Sequence, residues 1–184
     1  WSTFGGPTGT PVAGMLAPNS DQAVVFLQGT DYVYRMTNPG DFLNGTAGPG
    51  GGTGVQLRAA WGTSINNFWL VGNSGRVVWY DSTAGYVNED PGTGNDLDAV
   101  TGTSSSDVWV AGTNGYIAHW DGSGWTDCSL ATSETIRSLW VSGTGVVYAG
   151  TGFAADTLYN LSCNVRSVRM PGQGGAVRAL AGSS

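Results

Sequence analysis

The chain has 184 residues, a formal net charge of −6 and a sequence pI of about 4.3. All seven of its cations are arginine and none is interleaved with aromatics along one face, which argues against nucleic acid and anionic membrane as partners, since phosphate binding needs a basic stripe. Charged residues make up only 11% and aromatics another 11%, the reverse of a disordered composition, and no apolar run approaches the roughly 18 residues of a membrane span.

In chain order, Trp1-Ser2-Thr3-Phe4 reads as an outer strand separated from its repeat, and the abrupt start at Trp1 without a visible signal peptide gives the expectation of a processed chain or a fragment. Met15 to Met36, containing AVVFLQGTDYVYRM, is the most degenerate unit. The glycine-rich GTAGPGGGTG (45–54) is a connector within the array, because the pattern resumes on both sides. Two clean units follow: LRAAWGTSINNFWLVGNSGRVVWYD from Leu57, and LDAVTGTSSSDVWVAGTNGYIAHWDGSGWTDC from Leu97. Each is a set of short apolar runs bounded by turn formers, which predicts four strands joined by tight turns. Thr113-Asn114-Gly115 supplies residues that tolerate φ > 0 between the second and third strands. IRSLWVSGTGVVYAG opens a fourth unit at Ile136, where TGFAAD (151–156) lengthens the hairpin before TLYNL. VRALAGSS, from Val177, repeats the first strand only.

Leu57, Leu97, Ile136 and Val177 hold equivalent places at spacings of 40, 39 and 41 residues. A four-stranded unit repeating at about 40 residues predicts an all-β fold, a β-propeller of four-stranded antiparallel blades. A β-solenoid is the structural competitor, with coils usually shorter than this. The blades are predicted at 12–54, 55–96, 97–135 and 136–176 of a single propeller, with 1–11 and 177–184 as parts of another blade. Missing middle strands there would leave sheet edges open. The expectation is therefore a piece of a longer chain, or a ring completed by a neighbouring subunit.

Phe26, Trp69, Trp109 and Val147 each stand three residues before a hairpin glycine, which predicts packing between blades. Trp61 and Trp140 share an innermost-strand slot that Thr101 fills in the third blade, and either line the channel or wedge between blades. Asn67 and Asp107 precede their strands and are expected to bond the local backbone, as are Asp81 and Asp121 at the third-strand ends. His119 takes the slot of Trp79 and is read as packing, because no spacing supplies the partners of a triad or a zinc site. Glu89, Asp90, Asp96 and Asp98 surround Pro91-Gly92-Thr93-Gly94 without a calcium-loop spacing, and read as a solvated loop. No metal and no cofactor is expected. Cys128 and Cys163 each follow a third strand of neighbouring blades, and form a disulfide only if a loop brings them within about 7 Å.

DVWVAGTNGYIAHWDGSGW and its echo NNFWLVGNSGRVVWYD resemble the repeat V-W-x-V-G-x-x-G-x-I-x-x-W-D-G-x-x-W. Such repeats occur in secreted and surface propeller proteins of bacteria, prominently myxobacteria, and are similar to tectonin and BNR-type repeats. The resemblance covers residues 12 to 184 and implies an extracellular or cell-surface location, an oxidising compartment and a paired Cys128 and Cys163. The sialidase box S-x-D-x-G-x-T-W is not matched, since glycines follow Asp121 at one and three residues and Trp125 at four. Function is read as a non-catalytic binding or scaffold module for glycan or protein. Trp79, Tyr80, Trp120 and Trp125 are the candidate ligand-binding rings, with Asp and Asn as hydrogen-bond partners and packing as their competing role. The alternative is a glycosidase or lyase, which needs paired carboxylates in one cleft; no catalytic residue is assigned.

Overall fold

A computed structural model describes residues 11–27, 29–30, 32–38, 41–42, 46–47, 55–151, 159–168 and 177–180. The strand reading of Trp1 to Phe4, nearly all of the 45–54 connector and most of TGFAAD lie outside these residues. The second strand of each clean unit, NFWLVG and DVWVAG, is apolar without alternation. That is the pattern of a strand covered on both faces, and all but its first residue is buried.

Four sheets result. The first contains β1 (Val12–Asn19), β2 (Gln22–Leu27), β3 (Tyr32–Asn38), β4 (Asp41–Phe42) and β5 (Thr46–Ala47), with both short strands pairing to β3. The second is an antiparallel meander of β6 (Leu57–Ser64), β7 (Asn67–Gly72), β8 (Val77–Asp81) and β9 (Gly85–Asn88). The third repeats it with β10 (Leu97–Ser104), β11 (Asp107–Gly112), β12 (Ile117–Trp120) and β13 (Trp125–Asp127). The fourth contains β14 (Ser138–Val141), β15 (Val147–Gly150), β16 (Tyr159–Asn160) and β17 (Val165–Val168). Single 3-10 turns at Asn73–Gly75 and Thr113–Gly115 are the helical segments among the described residues. Each hairpin carries two left-handed residues, Ser74 and Gly75 at φ 54° and 73°, and Asn114 and Gly115 at 56° and 67°.

The first strands β1, β6, β10 and β14 lie side by side in succession, and the sheets do not close into a ring among the described residues. Three apolar clusters fill the three junctions. Phe26 and Val33 meet Phe68 and Tyr80 in the first, Trp69 and Val77 meet Val108 and Ala118 in the second, and Trp109 and Ile117 meet Leu139 and Val147 in the third. Phe26, Trp69, Trp109 and Val147 are all buried, as their recurrence predicts. Trp61 wedges between blades, its ring lying 2.8 Å from where a β-carbon on Gly102 would stand.

The fourth sheet departs from the antiparallel expectation. TLYNL does not follow β15 as the third strand; its Tyr159-Asn160 becomes the edge strand β16, and β17 takes the third place, parallel to β15. Side-chain character accounts for the exchange. Val165 and Ser167 are buried on one face of β17, whereas Tyr159 is 57% exposed and suits an edge. Cys163 therefore sits in the turn between β16 and β17, not after a third strand, and it is joined to Cys128 with their Cα atoms 5.7 Å apart. Val177 carries no strand, but its N–H donates to Thr151 O much as Ile136 N–H donates to Gly112 O one blade earlier.

Two outcomes test this packing. A β-carbon at Gly112 would lie 1.8 Å from Asp96 O, whereas one at Gly124 meets nothing within 4 Å. In urea titrations Gly112→Ala is expected to cost about 1–3 kcal/mol, and Gly124→Ala no more than about 0.5 kcal/mol. The Cys128–Cys163 bond spans 35 residues, and replacing both cysteines by serine is expected to lower stability by about 3–4 kcal/mol in the same titration.

Candidate functional site

Blades two and three leave a cleft of about 190 Å³ between them. Trp69 on β7, Trp79 on β8 and Trp120 on β12 provide its rings, and Glu89, Ser105 and Ser106 provide polar groups. The rings hold one another in place. Trp69 lies 6.1 Å from Trp79 in a stacked arrangement and 5.8 Å from the tilted Trp120. Trp125 stands edge-on to Trp69 at 6.1 Å and 5.5 Å from Trp120. Its indole N–H donates to Glu89 O at 2.7 Å, which fixes the end of β9 against β13. Such ring pairs add about 0.5–1.5 kcal/mol each beyond the area they bury.

Three of the four candidate rings thus come together: Trp79 and Trp120 line the cleft and Trp125 backs it. Tyr80 does not join them. It packs on the other face of its sheet, stacked on Phe68 at 4.8 Å, in the junction with blade one. There the Arg35 guanidinium lies 4.7 Å above its ring, and an Arg35 N–H donates to its hydroxyl. Neighbouring strand positions point to opposite faces, so adjacency in sequence separates Trp79 from Tyr80.

Two groups that sequence reasoning passed over complete the cleft. Trp69, which reads only as packing, has a buried indole N–H with no acceptor among the described residues. Glu89, which reads as part of an acidic loop, is a lining residue of the cleft, and its carboxylate has no partner among them. The orphan N–H has a local cause, visible by comparing blades. In blade three Asp107 accepts from Trp109 Nε1 at 3.1 Å and from His119 Nε2 at 2.7 Å. In blade two Asn67 holds that register; its amide oxygen accepts from Trp79 Nε1 at 3.4 Å, and its NH₂ donates to Asp81 at 3.4 Å. Trp69 is left without an acceptor.

Asn67 and Asp107 therefore bond ring N–H groups instead of local backbone, Asn67 reaching across to Trp79 and Asp107 across to His119 and along its own strand to Trp109. Asp81 and Asp121 do form their turns, accepting from Thr83 N–H at 2.8 Å and from Ser123 N–H at 2.8 Å. His119 packs as expected, stacked on Trp109 at 4.0 Å. It does have a carboxylate partner, but Thr103 donates to Asp107 and not to the imidazole, so among the described residues no hydroxyl or thiol is paired with it. Nor is the acidic stretch merely a solvated loop. Asp90 pairs with Arg76 at 3.1 Å, Asp96 and Asp98 with Arg58 at 2.7 and 2.8 Å, and Asp98 with Arg137 at 3.7 Å. A larger, more open hollow of about 480 Å³ has Arg58 as its one charged lining residue among the described residues, and that guanidinium is held by those two aspartates. Trp125 also borders a shallow hollow with Tyr116 and Asp127, where burial first and the Asp127 charge second push the Tyr116 hydroxyl up to about 12.

No family model and no curated protein matches the sequence. Solved structures do match. The chain superposes on YCF48 bound to D1 peptide with a TM-score of 0.64 at 12% identity, covering 88% of this chain and 53% of that one. The WD40 β-propeller domain of Doa1 gives 0.63 at 12%, covering 76% and 47%. The fold is that of a β-propeller. The extracellular domain of a putative one-component system of B. thetaiotaomicron, BT4673, gives 0.62 at 17%, covering 86% of this chain and 22% of that one. The chain spans about half the length of the first two and under a quarter of the third. Among the described residues no helix is long and apolar enough to cross a membrane.

The carboxylates set the acid limit of this arrangement. Burial opposes ionisation of Asp107, but hydrogen bonds from Thr103, His119 and Trp109 outweigh it and hold its carboxyl below the ordinary value. Backbone donation from Thr83 and Ala84 lowers Asp81, and the hydroxyl and N–H of Ser123 lower Asp121. Depressed folded-state values give stability that is present above the unfolded value of about 3.9 and is lost as pH falls through the folded ones. The melting temperature is expected to fall as pH drops below about 4. Asp107→Asn is expected to flatten part of that fall; an acid limb of unchanged slope would remove Asp107 from the account.

Proposed function

We propose that this chain is a non-catalytic binding module of a secreted or cell-surface protein, of the kind its tectonin- and BNR-like repeats resemble, and that it takes a saccharide into the tryptophan cleft. The observation that carries the reading is the buried Trp69 N–H, without an acceptor among the described residues, in a cleft that Glu89 and two further indole-bearing residues also line. A sugar ring answers all three demands. Its C–H face stacks on indole, one hydroxyl oxygen accepts from Trp69, and another hydroxyl donates to Glu89. A purely apolar ligand would leave both polar groups unmatched, which costs about 1–3 kcal/mol for each buried group.

Glu89 is the one carboxylate lining the cleft among the described residues, which favours binding over the glycosidase alternative, since that chemistry needs two. The Cys128–Cys163 bond supports export to an oxidising compartment, and one propeller neighbour is itself an extracellular domain. A protein segment is the second reading, favoured by YCF48, a neighbour solved with a bound peptide.

A glycan array probed with the full chain, followed by calorimetry on the hits, tests the proposal. Capture of a defined saccharide class is expected, with affinity lost at least about tenfold in Trp79→Ala and Trp120→Ala. An array without hits, or hits that both variants retain, overturns it.

A further inference from the structure

Successive junctions of this propeller repeat the same positions, so what fills one indicates what is missing from the next. In the junction of blades one and two, Tyr80 faces blade one and carries the Arg35 guanidinium 4.7 Å above its ring. In the junction of blades two and three, Trp120 holds the place of Tyr80 exactly one repeat later, forty residues on, and faces blade two. The residue in the register of Arg35 is there Asp81: Arg35 stands opposite Val24, two before Phe26, and Asp81 stands opposite Asn67, two before Trp69. Asp81 turns into its own loop, accepting from Thr83 and Ala84. Among the described residues no cation therefore lies over the Trp120 ring, and the cleft lies there instead.

The cleft is also prepared for positive charge. Its rings are tryptophans, whose faces attract cations most strongly among the aromatics. Glu89 lines it without an ion-pair partner among the described residues, although Asp90, Asp96 and Asp98 beside it are all paired with arginine. The chain as a whole carries a net charge of −6, which draws cations and repels acidic sugars.

We infer that the ligand brings the missing cation: the cleft selects an ammonium-bearing saccharide, a hexosamine unit with a free amine, over neutral, N-acetylated or acidic sugars. The ammonium lies over the Trp120 and Trp79 rings and pairs with Glu89, while a ring hydroxyl oxygen accepts from Trp69. This rests on the saccharide reading of the cleft and adds the charge of the sugar to it.

The test is calorimetry on the full chain in slightly acid buffer, with the glucosamine trimer, the N-acetylglucosamine trimer, a neutral glucose trimer and choline. The glucosamine trimer is expected to bind about tenfold tighter than either other trimer. Glu89→Gln is expected to erase that preference while leaving the residual affinity for all three equal, and raised salt is expected to shrink it. Equal or tighter binding of the acetylated or neutral trimer overturns the inference and leaves the saccharide reading standing. A preference that survives in Glu89→Gln also overturns it. Choline binding with no trimer bound, or no binding at all, overturns both.

Discussion

The second strands β2, β7 and β11 are buried on both faces and rely on neighbouring blades to cover them. Stability therefore resides in the junctions, where a large ring from one second strand enters the next blade. Trp69, 1% exposed, is the largest of these. Burying such a ring contributes about 1.5–3 kcal/mol or more, while Gly72 and Gly112 let the first two strands within blades two and three approach closely. At Gly72 a β-carbon would lie 2.2 Å from Gln56 O, so within blade two the backbones at the paired ends of β6 and β7 touch.

The same repetition explains the candidate site. A junction is complete when every buried polar atom has a partner and every ring a neighbour, and the third nearly meets that standard through Asp107, which serves two ring N–H groups at once. Exchange of aspartate for asparagine at the equivalent place in blade two removes one acceptor, and exchange of a histidine for Trp79 adds another bulky ring. Together they produce a cleft with an unmatched donor, at a cost that a purely structural junction has no reason to carry.

Much of the fold was legible because a repeat is read several times over. Errors in one copy are corrected by another, so Leu57 and Leu97, or Gly72 and Gly112, locate equivalent strands without reference to propensity. Blade four is read once, and there the reading failed: Tyr159-Asn160 is as good a third strand as any by composition, and only burial of Val165 and Ser167 places β17 inside it. The site was legible in part for a different reason. Recurrence marks Trp69 as packing and conceals that its N–H is left over, since the acceptor is lost at Asn67, two residues away on the same strand. Glu89 was hidden among acids that look alike in sequence but are separated in space by their arginine partners.

The parallel pairing of β15 and β17 has a consequence for the order of assembly. Blades two and three are hairpins from end to end, so each strand meets its partner within a few residues and the loop to be closed is short. β17 pairs with β15 across intervening residues 151–164, which include β16, so the loop to be closed is longer. Contacts of that kind form slowly, because the entropy of the larger loop is lost before any pairing offsets it. By loop closure alone, the pairing that completes the fourth blade is therefore expected after those of blades two and three.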